Sequence, residues 1–445
     1  MRTDIIAVGI IALIVGVAIG YFAAPPKVEV VTKTAPGTVT TSTIVTTSTV
    51  TSTYTTTVEK PISPLTGEIP IGVLTQLSGE LGAWGDNYRV ALELAVSEVN
   101  DFLAKAGAAF RVKLLVEDTA SRPDIALEKL KTLAAKGVKV VVGSASSGEA
   151  RNIMGYADAN NILILSGMST APELAIPGDN LFRLCPDDNK QGKAISRVIY
   201  DSGVRYIIPV WRGDAWGDGL VEAARKRFEE LGGKFLEGIR YAPEAKEFSA
   251  EVGVLASKVT DAIKRYGRDK VGVYYAAFEE AITFFTQAAG YPVLSEVKWF
   301  GTDGTVLGDK FVTETLVAEF CVKTGGFINP VFAPTRSSIT VKVENTVKEK
   351  LGRAPDAYTY SVYDTLWLAV KCILAAGKYD AGAIKAVLPK VAETTFGASG
   401  WLKLNEAGDR EIADYELWAI AMENGKYTWR LAGIYTAASD SVTWL

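Results

Sequence analysis

From Ile69 onward the chain alternates short runs of branched and apolar residues with longer stretches whose apolar positions recur three and four apart. The first run is IPIGVLTQ (Ile69–Gln76), and the stretch after it places Ala91, Leu94, Ala95, Val99, Phe102 and Leu103 on one helical face between Gly85 and Ala106. VKLLVED (Val112–Asp118) follows. Pro123 then opens a helix whose face is Ala126, Leu130, Leu133 and Ala134. VKVVVG (Val138–Gly143) and ILILS (Ile162–Ser166) are the third and fourth runs. Strands apolar on both faces, separated by amphipathic helices, predict a parallel sheet covered by helices. After Pro186 a second series begins, with YIIPVW (Tyr206–Trp211), KFLEGIRY (Lys234–Tyr241), KVGVYYA (Lys270–Ala276) and VKWFGTD (Val297–Asp303). Helical patterns such as Gly219–Leu231 lie between these runs, so the body is expected to be two α/β lobes.

The N-terminal pattern is different. Ile5–Ala24 is a run of 20 residues, apolar or small apart from Tyr21, long enough for a helix to cross a bilayer. Pro25 and Pro26 stand where a signal sequence would be cut, and no cysteine is there for lipid attachment. The expectation is an uncleaved transmembrane anchor over 1–26, with a cleaved secretory signal as the alternative. From Thr32 to Thr57, 14 of 26 residues are Thr and three are Ser, too polar to bury a core. Residues 27–65 therefore read as an extended stalk and 66–445 as a folded α/β body on the extracellular face of the membrane.

Composition removes several chemistries. The chain has 445 residues, 48% hydrophobic and 22% charged, with a net charge of −4, and shows no basic excess for nucleic acid. It has no histidine, which excludes Ser-His-Asp and Cys-His catalysis and any His-ligated metal. Cys185, Cys321 and Cys372 lie too far apart for a zinc spacing. No nucleotide motif is present and no cofactor is expected; few Gln, Cys and Met residues fit a thermophile.

In open α/β sheets ligands bind beyond the carboxyl ends of strands. The first such loop, QLSGELGAWGDN, puts Trp84 at the sheet's mouth, either as a ligand wall or as cover for a helix end. The second, VVGSASSGEARN (Val141–Asn152), has Gly143 and Gly148 at phosphate-loop spacing, but Glu149 and Ala150 replace the lysine and hydroxyl. That leaves a helix start with Ser147 as N-cap, either merely closing its own helix or offering N–H groups to an anion such as a carboxylate. The third loop, LSGMSTAPEL, carries Ser166, Met168, Ser169 and Thr170. The fourth, FGTDG, ends a second-lobe strand with Asp303, a turn former or a partner for an ammonium group. Trp216 in RGDAWGDG and Phe278 in YYAAFEE are aromatics at second-lobe strand ends.

The order and spacing of IGVLTQLSGELGAWG, VVGSASSGEA, ILILSGMSTAPEL, FRLCPDDNKQG, WGDGL and WFGTDG resemble the branched-chain amino-acid-binding (Leu/Ile/Val) proteins of ABC importers, from Ile69 to the C-terminus. The resemblance implies a type I periplasmic binding fold, with two Rossmann-like lobes closing like a flytrap. Lobe 1 would take about 66–185 and 324–412 and lobe 2 about 186–323 and 413–445, joined by three crossover strands. It also implies that Ser147 and Thr170, with backbone around Ser146, Met168 and Ser169, hold an α-carboxylate. Asp303 would bind the α-ammonium, and Trp84, Trp216 and Phe278 would wall the side-chain pocket. The last two stand where tyrosines are expected, which counts against a branched aliphatic side chain and favours an apolar or aromatic one of another shape. The implied partners are an ABC permease with separate ATPase subunits, and the chain would not be an enzyme. The alternatives are a receptor for an amide, urea or other small organic acid, and a ligand-sensing ectodomain. Ser121 and Ser146 replace a cysteine pair found in some members, while Cys185 and Cys321 lie near adjacent crossover strands, as a hinge disulfide or as two buried thiols.

Overall fold

The computed structural model describes residues 65–143 and 146–445, and before them the backbone of three strands. These strands, β1 (Lys27–Ala35), β2 (Thr38–Thr47) and β3 (Val50–Val58), form an antiparallel sheet in that order. Threonine's branched Cβ suits extended backbone, and the tract read as a stalk takes it up as paired strands. The anchor expected over 1–26 lies outside the described residues. Among the described residues no helix is long and apolar enough to cross a membrane. The chain divides into two compact units, 1–63 and 64–445.

The second unit begins with β4 (Gly67–Thr75), α1 (Gly82–Lys105), β5 (Phe110–Asp118), α2 (Pro123–Ala135), β6 (Val140–Gly143), α3 (Ser147–Ala159), β7 (Leu163–Ser166) and β8 (Leu181–Arg183). All five strands run parallel in the order β5-β4-β6-β7-β8. Every residue of β6 and β7 is buried, which is why both read as unbroken apolar runs. Chain order reverses between β4 and β6, and such a switch point opens a crevice at the strands' carboxyl ends.

The second lobe holds α4 (Asp188–Asp201), β9 (Tyr206–Arg212), α5 (Ala215–Glu230), β10 (Lys234–Phe235), β11 (Ile239–Tyr241), α6 (Ser249–Tyr266), β12 (Val271–Ala276), α7 (Ala281–Ala288), β13 (Lys298–Phe300), α8 (Lys310–Thr313) and α9 (Thr315–Lys323). Its parallel sheet runs β10-β9-β12-β13, and β11 also pairs with β9. KFLEGIRY is therefore two short strands rather than one. Gly238 lies between them, and a Cβ there would come within 2.3 Å of the Pro209 carbonyl.

The chain then runs through β14 (Asn329–Phe332), α10 (Ser338–Leu351), α11 (Ala357–Ala376), α12 (Ala381–Glu393), the β15 (Phe396–Gly397) and β16 (Gly400–Trp401) hairpin, and β17 (Tyr415–Glu423), β18 (Lys426–Thr436) and β19 (Ser441–Trp444). Helices α10 and α11 pack on α1, while β14-β17-β18-β19 form an antiparallel sheet absent from the sequence reading. Two connecting segments lie along lobe edges, Asp409 beside Arg183 and Ile328 beside Phe300. Cys185 and Cys321 are both free and buried in separate cores, so no hinge disulfide joins them.

Candidate functional site

The loops that follow β4, β6 and β7 in lobe 1 and β9, β12 and β13 in lobe 2 carry the site residues. After β6 the chain must turn sharply. Gly143 has φ +107°, and a Cβ there would lie 1.9 Å from the Leu74 carbonyl oxygen. Only glycine lets β6 close against β4 at that point. Three residues on, Ser146, not Ser147, caps α3. Its Oγ accepts the Glu149 N–H at 3.1 Å, and the Glu149 carboxylate accepts the Ser146 N–H at 2.8 Å and its Oγ–H at 2.9 Å, a reciprocal capping box.

This frees Ser147 from its own helix. Its buried Oγ accepts the N–H groups of Thr170 and Ala171, each at 3.0 Å, and so staples the β6 loop to the β7 loop. Thr170 Oγ1 donates to Asp188 Oδ2 at 2.8 Å. Gln191 donates from Nε2 to Asp188 Oδ1 at 2.9 Å and accepts the Asp303 N–H at 3.1 Å. Asp303 Oδ2 accepts the Tyr358 hydroxyl at 2.6 Å, and the Tyr358 ring stacks on Trp84 with centroids 6.4 Å apart. Ser147, Thr170, Asp303 and Trp84, distant in sequence, are thereby joined in one network through Asp188, Gln191 and Tyr358. Met168 accepts the Tyr88 hydroxyl at Sδ at 2.9 Å, and Ser169 Oγ lies 2.6 Å from Ser166 Oγ, so both brace the loop from within.

Asp188 and Asp303 carry the electrostatics. Burial raises the pKa of each carboxyl. The nearby Asp303 charge raises that of Asp188 further, while the hydrogen bond from Tyr358 partly offsets the rise at Asp303. Burial, followed by these two carboxylates, also pushes the Tyr274 hydroxyl up. Among the described residues Asp303 Oδ1 and Tyr274 Oη have no partner although both are buried, and such groups incur a desolvation cost unless something bonds to them.

In lobe 2, Trp216 and Phe278 stack with centroids 4.5 Å apart and planes 21° from parallel. Gly304, next to Asp303, makes room for them: a Cβ there would lie 2.4 Å from the Ala277 oxygen and 2.7 Å from the Trp216 ring. The Arg212 guanidinium covers the Phe278 ring at 4.3 Å. It also pairs with Asp214 at 2.6 Å, Glu280 at 3.0 Å and Glu80 of lobe 1 at 3.3 Å. Burial opposes its charge, but Glu280 and Asp214 outweigh burial and hold its pKa above the ordinary arginine value. A cleft of about 640 Å³ opens between the lobes, walled by Leu81, Ser121, Ser146, Gly148, Arg212, Trp216 and Phe278 among others. Of the predicted site residues, Ser146, Trp216 and Phe278 line this cleft, whereas Ser147, Thr170 and Asp303 belong to the buried network. Among the described residues no cluster of acids and cysteines has a metal-holding arrangement.

The sequence reading gave no role to Asp188, Gln191, Tyr358 or Arg212. Asp188 and Gln191 stand in the PDDNKQG stretch already quoted, four and one residues before its glycine. Their role depends on contacts with Thr170 and Asp303 that no local pattern shows. Tyr358 lies at the start of α11, whose residues are all buried from Ala357 to Leu366, and nothing separates it there from core.

Residues 68–413 match the periplasmic binding protein family, and the chain belongs to that family of solute-binding receptors. An uncharacterized protein of Methanocaldococcus jannaschii is 31% identical over 394 residues, covering 84% of this chain and 91% of that protein. A Leu/Ile/Val-binding protein homolog of Brucella abortus is 26% identical over 371 residues, covering 81% of this chain and 93% of that one. Among solved structures, a leucine-binding protein of Thermotoga maritima superposes with a TM-score of 0.69 at 20% identity, covering 83% of this chain and 99% of that chain. A solute-binding protein of an ABC transporter from R. palustris, in complex with 4-hydroxybenzoate, superposes with a TM-score of 0.68 at 14% identity, covering 83% and 97%. Members of the family take up small molecules outside the cytoplasm and work with ABC permeases.

Proposed function

We propose that this receptor binds an amino acid with an apolar or aromatic side chain between its lobes and delivers it to an ABC permease driven by separate ATPase subunits. The observation that carries the reading is the buried network itself. Among the described residues Asp303 keeps one carboxylate oxygen without a partner, and the same network reaches Ser147 at the start of α3 and Thr170 in the loop after β7. An α-ammonium would bond that oxygen. The α-carboxylate would take the Ser147 hydroxyl and the N–H groups of Ser147 and Gly148, which have no intrahelical acceptor. Trp216 and Phe278 would hold the side chain, with Trp84 on the lobe 1 side. Charge-assisted hydrogen bonds contribute about 1.5–3 kcal/mol each, enough to shift an open–closed equilibrium of a few kcal/mol. The N-terminal run is proposed to tether the receptor to the extracellular face of the membrane.

The stacked Trp216–Phe278 pair also favours a second reading, an aromatic acid without an ammonium group, as in the R. palustris neighbour. Thermal stabilisation against amino acids, amides and benzoates separates the two, with Asp303→Ala as the control. The amino-acid reading expects stabilisation by an amino acid that the variant loses. A variant binding that amino acid as tightly as wild type would reject the ammonium role.

A further inference from the structure

Arg183, at the end of β8, is fully buried and makes contacts that no role above uses. Its Nε and Nη2 hold both oxygens of Asp409, at 2.5 and 2.6 Å. Its Nη1 donates to the carbonyl oxygens of Ser169 at 3.2 Å and Ala171 at 2.8 Å. These carbonyls flank Thr170, and the Ser169 carbonyl shares one peptide plane with the Thr170 N–H that bonds Ser147. Thr170's own carbonyl accepts the Asp188 N–H at 2.8 Å, so every carbonyl from 169 to 171 is tied down. Asp409 sits on the connecting segment between β16 and β17, where the family resemblance has the chain return to lobe 2. Around it the Arg183 N–H bonds the Gly408 carbonyl and the Arg410 N–H bonds the Arg183 carbonyl, each at 2.9 Å. The segment thus forms an extra edge on β8.

We infer that Arg183, held by Asp409, is a positioning residue for ligand carboxylate binding: it fixes the Ser169–Thr170 peptide plane and ties that loop to a crossover between the lobes. This rests on the reading of the Ser147–Thr170 loops as the carboxylate site. A cation on the carbonyl end of a peptide also polarises its N–H, strengthening it as a donor. Movement of the crossover at lobe closure therefore reaches the loop through one rigid, two-pronged pair. Lysine, with a single ammonium in place of a fork, does not hold Asp409 and two carbonyls in the same geometry.

The test measures binding of L-leucine and L-phenylalanine, and of their α-carboxamides, to wild type, Arg183→Lys and Asp409→Asn. Thermal unfolding of each ligand-free protein establishes that it is folded. Wild type is expected to favour the acid over the amide. Both variants are expected to lose about tenfold or more in affinity for the acid and little for the amide, so that the preference collapses. A structural defect alone lowers both affinities together and leaves their ratio intact, and that result would overturn the inference. Should either variant fail to fold, the other supplies the ratio. A wild type that binds these acids and amides alike would instead overturn the carboxylate-site reading itself.

Discussion

At the scale of single residues, the cleft's chemistry depends on two buried acids that share one glutamine. Asp188 and Asp303 have pKa values above the ordinary carboxylate value of about 3.9. Between that value and the raised ones the folded protein holds protons that the unfolded chain has released. These groups therefore make stability fall as pH rises through the window. Denaturant titrations of ligand-free protein from pH 4 upward are expected to show this slope, and Asp188→Asn is expected to flatten it. An equal slope in the variant would mean that Asp188 ionises as it does in water. Ligand ammonium favours the ionised pair, so binding is expected to release protons at pH values above the ordinary carboxylate pKa. Calorimetry in buffers of different ionisation enthalpy reads that release directly. Ser146 provides a simpler test: Ser146→Ala removes the α3 cap and is expected to cost about 1 kcal/mol of stability.

At the scale of elements, glycines decide whether strand ends and loops meet. Gly304→Ala puts a methyl group against the Ala277 carbonyl and the Trp216–Phe278 stack. It is expected to destabilise the fold by about 1–3 kcal/mol and to weaken binding of aromatic side chains; an unchanged denaturation midpoint would show that the stack moves freely. Elements buried on both faces were legible from the sequence, because β4, β6, β7, β9 and β12 read as apolar runs between amphipathic helices. The antiparallel β17–β19 strands were not, since their side chains are a mixture of buried and partly exposed. The cap of α3 was misplaced by one residue. Ser146 and Ser147 are identical in type, and only the capping box with Glu149 assigns them different work. The loops bearing Ser147, Thr170, Asp303, Trp216 and Phe278 were singled out because parallel sheets place ligands at strand ends. Asp188 and Tyr358 were not, because what marks them is tertiary contact: Asp188 accepts the Thr170 hydroxyl, while Tyr358 donates to Asp303 and stacks on Trp84.

At the scale of the whole molecule, the two lobes meet in a charged bridge as well as at the site. Glu80, from the loop before α1, reaches Arg212 at 3.3 Å and Lys246 at 2.9 Å, both in lobe 2. Glu80 is about one-third exposed, so each pair contributes at most about 1 kcal/mol and weakens with salt. Glu80→Gln is expected to shift the ligand-free protein toward the open form, seen as a larger radius of gyration in small-angle scattering and a few-fold loss of affinity. Identical scattering from both proteins would remove the bridge from the account of closure. The central claim is that an ammonium group at Asp303 and a carboxylate at Ser147 and Thr170 are recognised together. Calorimetric titration of wild type with L-phenylalanine and with 3-phenylpropanoate, which differ only in the ammonium group, tests it most directly. The account predicts binding of the amino acid and a loss of affinity of about tenfold or more without the ammonium; equal affinity, or binding of the desamino acid alone, would contradict it.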